Sequence, residues 1–176
     1  QAMRTEFQPS RAQIHCADGY RHRWAVILSG GDGKRLRPLT RMIAGDDHRD
    51  QKVDAALPPK QFCPIVGRET LLDQTRERVR RIIRPEQTLM VVTKPHERFY
   101  DDLIGTGSRS QLLVQPFNRG TAPAIAYSLV HLRELDPKGR VVMLPSDHHF
   151  ADEAAFTADL ETAFAAAEIR PDCVML

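Results

Sequence analysis

Cysteine is scarce: the 176 residues contain three, Cys16, Cys63 and Cys173, widely spaced and odd in number. That pattern argues against a disulfide framework and a CxxC metal knuckle, and makes a reducing cytoplasm the expected compartment. Long hydrophobic runs are missing too. No uninterrupted apolar stretch exceeds five residues, the run at 24–28 included, against the ~20 needed to cross a bilayer as a helix. No apolar h-region follows a basic amino terminus, so no secretory signal is expected. Net charge is only +2, which does not predict a nucleic-acid partner. Internal repeats and low-complexity tracts are absent as well. The composition, 41% hydrophobic and 27% charged, fits an ordinary globular chain whose length suits one domain or most of a larger one.

Residues 1–23 are polar and without periodicity, and read as a flexible leader. The pattern changes at Trp24. Ala25-Val26-Ile27-Leu28 is a short apolar run ending in Ser29-Gly30-Gly31, which predicts a buried strand entering a glycine loop. Strand-like runs then alternate with helical spacing. Leu71, Leu72, Val79, Ile82 and Ile83 recur on one helical face, with Pro85 as the stop. Further strands are expected at 89–92, 112–114 and 141–144. Helices are expected over 122–135 and around Phe156, Leu160 and Phe164. A fifth strand is expected at 173–176, and a chain ending on an apolar strand suggests a fragment of something longer. Residues 45–59 are polar and unpatterned, and read as a long surface loop with the character of a lid.

The β-α alternation implies an α/β fold, a Rossmann-like and mostly parallel sheet with helices on both faces. In such sheets the ligand sits beyond the carboxyl ends of the strands. Gly30-Gly31 and Asp147 each follow a strand, so both should reach one crevice.

Four segments carry chemistry. In Ser29-Gly30-Gly31-Asp32-Gly33-Lys34-Arg35-Leu36-Arg37, three glycines within four positions let backbone N–H groups converge on an anion, and Lys34, Arg35 and Arg37 add positive charge. A Walker A loop is excluded by Leu28 and Arg35, and a dinucleotide fingerprint by Leu36. A tight turn with a solvated basic patch is the plainer alternative. Pro59-Lys60-Gln61-Phe62 sets a lysine beside a rigid Pro-Pro pair, where solvation is the ordinary fate. In Arg119-Gly120-Thr121-Ala122-Pro123, Thr121 is expected to cap a helix whose amino end favours anions or a polar base edge, or is simply well capped. Asp147-His148-His149 follows a strand. The acid suits Mg²⁺ against a polyphosphate, the histidines suggest a transition metal, and a plain strand-end turn is the third reading.

Taken together and in this order, the segments resemble the sugar-nucleotide pyrophosphorylases over about residues 24–176. Gly30-Gly31-x-Gly33-x-Arg35-Leu36-x-Pro38-Leu39-Thr40 is similar to that family's nucleotide loop. Pro59-Lys60-Gln61-Phe62, Thr121-Ala122-Pro123-Ala124-Ile125 and Leu144-Pro145-Ser146-Asp147-His148 resemble its mannose-1-phosphate guanylyltransferase branch. There are departures: Lys34 for Thr or Ser, Arg37 for Trp, Gln115 for Glu, and Asn118-Arg119-Gly120 in permuted order. The resemblance implies a nucleotide-diphospho-sugar transferase fold with the sugar-binding half beyond residue 176. It also implies transfer of a nucleotidyl group, GMP from GTP, to mannose-1-phosphate. Arg35 and Lys60 would be catalytic. Leu28, Gly30, Gly31, Gly33, Lys34, Arg119, Thr121 and Pro123 would bind nucleotide, and Asp147 would hold the cofactor, Mg²⁺. The expected partners are a nucleoside triphosphate and a sugar-1-phosphate, with no nucleic acid and no membrane, and a homo-oligomer is compatible. Competing readings are a thymidylyl- or uridylyl-type transferase, a non-catalytic nucleotide-binding module, and a phosphoesterase using Asp147-His148-His149.

Overall fold

The structure is a computed structural model, and it describes residues 20–33, 38, 39, 42, 58–65, 67–105 and 111–172. Four strands, β1 (Arg23–Leu28), β2 (Thr88–Thr93), β3 (Gln111–Gln115) and β4 (Arg140–Pro145), alternate with α1 (Leu71–Arg80), α2 (Glu97–Gly105), α3 (Thr121–Leu135) and α4 (Glu153–Ile169). All strand pairs are parallel, in the order β3-β2-β1-β4. The chain therefore builds outward from β1 through β2 to β3, then returns to lay β4 on the other side of β1. That reversal makes the β1/β4 seam the topological switch point, where crevices open in sheets of this kind.

The central strands are apolar on both faces because both faces are covered. On one, Ala25, Ile27 and Met90 pack with Leu72 and Val79 of α1 and Phe164 of α4. On the other, Trp24, Val26, Leu89 and Val91 pack with Ala124 and Leu132 of α3. The two-residue period of β1 thus divides its side chains between two core layers. Thr70 caps α1, its hydroxyl accepting the Asp73 N–H at 3.1 Å. Asp152 caps α4 through the Ala155 N–H at 2.9 Å.

Several boundaries differ from those expected. β1 begins at Arg23, whose guanidinium lies 4.0 Å from the Tyr20 ring and 4.8 Å from that of Phe164 and pairs with Glu161 at 2.7 Å. The end of the supposed leader is therefore tied into the fold. α1 stops at Arg80, so Ile82 and Ile83 are buried from the following turn, and Pro85 opens a 3-10 turn instead of closing the helix. Helical spacing misled here because a turn can return side chains to the same core face. α2 was not anticipated. Thr121 is not the cap of α3: the cap position belongs to Gly120, at φ 91°, and Thr121 is the first helical residue. A left-handed residue suits glycine, so the backbone took the cap from the hydroxyl next to it. The expected fifth strand and residues 45–57 of the expected loop lie outside the described residues. Among the described residues no helix is long and apolar enough to cross a membrane.

Candidate nucleotide site

The glycine loop leaves β1 where the sheet order reverses. Ser29 N–H still donates to Val91 O of β2 at 2.8 Å, and Ser146 N–H, just beyond β4, donates to Leu28 O at 3.3 Å. The two strand ends are thereby joined. Leu28 contributes to this frame, its half-buried side chain resting on the second core layer. A Cβ on Gly30 would lie 3.1 Å from Thr93 Cγ2, and a Cβ on Gly33, at φ 62°, would lie 3.1 Å from the backbone nitrogen of Lys60. Gly33 is required both by its backbone conformation and by the close approach of the next segment. A Cβ on Gly31 would meet no described atom within 4 Å.

That next segment is the 3-10 turn Lys60–Phe62, which presents two consecutive side chains to the site. Gln61 is 1% exposed, and its amide nitrogen donates to Ser29 O at 2.7 Å and Gly31 O at 3.0 Å. In a trans peptide the C=O and N–H point opposite ways. Gripping these two carbonyls therefore turns the Gly30 and Asp32 N–H groups away from Gln61. The Gln61 Oε1 and Ser29 Oγ atoms are buried without a hydrogen-bond partner among the described residues. Lys60 reaches the other way and forms an ion pair with Asp147, both side chains half-buried. The glycine loop, the lysine turn and the β4 end, separated by up to 117 positions in the chain, thus meet at one place.

The 3-10 turn is itself braced. Phe62 stacks on Phe99 of α2 with ring centroids 5.8 Å apart, and meets His96 edge-on at 6.4 Å. Cys63 is buried, its thiol 3.4 Å from Pro58 O, and burial pushes its pKa up, which leaves it an inert thiol. His148 and His149 are exposed, and no group of three His, Cys, Asp or Glu among the described residues could hold a metal. Any ion at Asp147 would need water or substrate oxygens to complete its shell.

Arg119, Thr121 and Pro123 are exposed at the start of α3, where the Gly120 N–H donates to Asn118 Oδ1 at 2.9 Å. β3 communicates with the glycine loop through buried Gln115, whose Oε1 lies 3.7 Å from the position of a Gly30 Cβ. Lys34 and Arg35 lie outside the described residues. Gln61 and Thr93 are the residues that sequence reasoning missed. The available signal for Gln61 was a carboxamide between a lysine and an aromatic, but nothing local tells which carbonyls it will reach.

Residues 24–173 match the nucleotidyl transferase family. The chain belongs to that family. Among relatives of this nucleotidyl transferase, the xanthan biosynthesis protein XanB of Xanthomonas campestris pv. campestris (strain B100) is 36% identical over 146 residues, covering 81% of this chain and 28% of that protein. The mannose-1-phosphate guanylyltransferase of Escherichia coli (strain K12) is 29% identical over 149 residues, covering 82% of this chain and 28% of that protein. A solved structure from Thermus thermophilus, described as mannose-1-phosphate geranyltransferase, superimposes with a TM-score of 0.63 at 30% identity, over 84% of this chain and 38% of that one. The nucleotidyl transferase chain thus spans less than a third of the curated relatives it matches.

Proposed function

We propose that the protein transfers a nucleotidyl group to a sugar-1-phosphate, specifically GMP from GTP to mannose-1-phosphate, releasing pyrophosphate. The Lys60–Asp147 ion pair carries this reading. It sets a cation and an acid together against a glycine loop whose Ser29 and Gly31 carbonyls are held by Gln61. Membership of the nucleotidyl transferase family and the names of its relatives support the reaction class and the choice of base and sugar.

A sugar-1-phosphate oxygen attacks the nucleotide α-phosphorus, and the bond from that phosphorus to the bridging oxygen of pyrophosphate breaks. The nucleophile is already anionic at neutral pH, so no side-chain base is needed. The obstacle is bringing one anion onto another and stabilising charge on the leaving group. On this reading Lys60 exchanges Asp147 for the α-phosphate and offsets its charge as it is attacked. Gly30, Gly31 and Gly33 admit the phosphates close to backbone, with Lys34 and Arg35 on the β- and γ-phosphates. Arg119, Thr121 and Pro123 seat the nucleotide near its base. Asp147, a hard carboxylate donor at a half-exposed strand end, would hold Mg²⁺. When bound there, Mg²⁺ supplies charge neutralisation to the polyphosphate. The reaction calls for no nucleic acid and no membrane, and GTP is supplied in the cytoplasm.

The test is calorimetric titration of the chain with GTP, dTTP, UTP and ATP, each with Mg²⁺, followed by pyrophosphate release with mannose-1-phosphate. Selective GTP binding is expected, weakened in Lys60→Ala, with transfer in that variant and in Asp147→Asn falling about 10²–10³-fold. A preference for dTTP or UTP would retain the reaction and overturn the choice of base. Wild-type turnover retained in a folded Lys60→Ala protein would remove its assigned role.

A further inference from the structure

The mechanism above makes no use of His96, yet this buried residue, 8% exposed, sits behind the glycine loop. It ends a 3-10 turn, Lys94–His96, that follows β2 directly. Its Nδ1 lies 3.0 Å from the hydroxyl of Thr93, and its Nε2 lies 3.9 Å from Oδ1 of Asp32, the loop residue between Gly31 and Gly33. Thr93 has a second contact with the loop, through the methyl that would meet a Cβ on Gly30. Phe62 and Phe99 border the imidazole at 6.4 and 6.5 Å between ring centroids.

Burial pushes the His96 pKa down, against an upward pull from Asp32 and with a smaller downward push from Arg98. A neutral imidazole has one N–H to place. The carboxylate facing Nε2 favours the proton there, and the Thr93 hydroxyl then donates to Nδ1. The ring, held on its other side by the end of β2, directs an N–H at the glycine loop.

We infer that His96 is a positioning residue for the glycine loop, holding Asp32, and with it the Gly31–Gly33 backbone, in the conformation that receives a nucleotide phosphate. The inference rests on the nucleotide reading of that loop. Its structural part, the hold on residues 30–33, can be tested without any ligand.

Two measurements decide it, amide hydrogen exchange at residues 30–33 of the ligand-free chain and calorimetric binding of GTP with Mg²⁺. His96→Phe keeps an aromatic ring beside Phe62 and Phe99 and removes both nitrogens. Exchange at 30–33 should accelerate in that variant, and GTP binding should weaken roughly fivefold. Asp32→Ala, which removes the acceptor, should do the same. The double variant should be no worse than either single one, since both break one contact. His96→Gln, which restores an N–H near the Nε2 position, should recover much of the loss. A general packing defect would lower thermal stability without this pattern of non-additivity and rescue. Unchanged exchange at 30–33 in folded His96→Phe, or additive losses in the double variant, would overturn the inference. If His96→Phe does not fold, Asp32→Ala and His96→Gln carry the test, and unchanged exchange in Asp32→Ala overturns it. Should wild-type protein bind no nucleotide, the functional reading fails while the exchange experiment still decides the role of His96.

Discussion

At Gly33 one missing Cβ serves two ends. The backbone adopts φ 62°, and the empty position admits the Lys60 amide to 3.1 Å. Alanine would therefore meet strain from the left-handed backbone and a collision with a neighbour that cannot swing away, being main chain. We expect Gly33→Ala to cost roughly 1–3 kcal/mol of stability. It should also push the Lys60 turn off the loop, weakening nucleotide binding more than the stability loss accounts for. Urea unfolding and calorimetry on the same variant check both parts. Gly31→Ala is the control: with no described atom within 4 Å of the Cβ position and no positive φ, its stability should stay near wild type. The sequence showed three glycines in four positions but not which of them were crowded, because the crowding comes from segments distant in the chain, Thr93 at Gly30 and Lys60 at Gly33.

At the scale of elements, α1 is fastened to the start of α4 by Arg78 and Glu153. The Arg78 side chain is 2% exposed and forks onto the carboxylate, with its Nε 2.8 Å from Oε2 and its Nη2 2.7 Å from Oε1. Its guanidinium also lies 4.6 Å from the Phe150 ring and 5.6 Å from that of Phe156. This is the clamp on the segment that carries Asp147 from β4 into α4. Hydrogen bonding to Arg78, opposed by burial and aided by its charge, holds the Glu153 carboxyl below its usual range. A carboxyl with a depressed folded-state pKa contributes stability that is present above its unfolded value, about 4.3. That contribution is lost as pH falls through the folded value. Arg78→Met should cost about 1–3 kcal/mol at pH 7. It should also flatten the acid limb of a stability–pH curve recorded from pH 7 to pH 3. An undiminished acid limb in the variant would mean that other carboxylates set it. The pairing of Arg78 with Glu153 was invisible in the sequence, since nothing local marks which arginines of the arginine-rich stretch 76–81 are buried or which carboxylate one of them meets.

The whole molecule is a sheet whose order reverses at β1/β4, and the glycine loop, Lys60 and Asp147 converge on that reversal. A ligand bound there bridges segments spread over most of the chain, so it should stabilise the fold as a unit. At a free concentration of 100 times its Kd, a nucleotide that binds only the native state adds about 2.7 kcal/mol. We expect GTP with Mg²⁺ to raise Tm in scanning calorimetry and ATP to raise it less at equal concentration. No rise with any nucleotide at millimolar concentration would argue against a site at this seam. Four of the expected strands and the parallel α/β class were legible in the sequence because they rest on local periodicity and on short-range turn chemistry, whereas the grouping of loop, lysine and acid came from the family resemblance. Strand runs of apolar residues bounded by glycine or proline can be read one segment at a time. The tertiary structure alone decided which carbonyls Gln61 holds, that Lys60 meets Asp147, that Gly120 caps α3 in place of Thr121, and that His96 stands behind Asp32. Each of these depends on where a distant segment comes to rest, and hydrogen bonds and close contacts between such segments have no period along the chain.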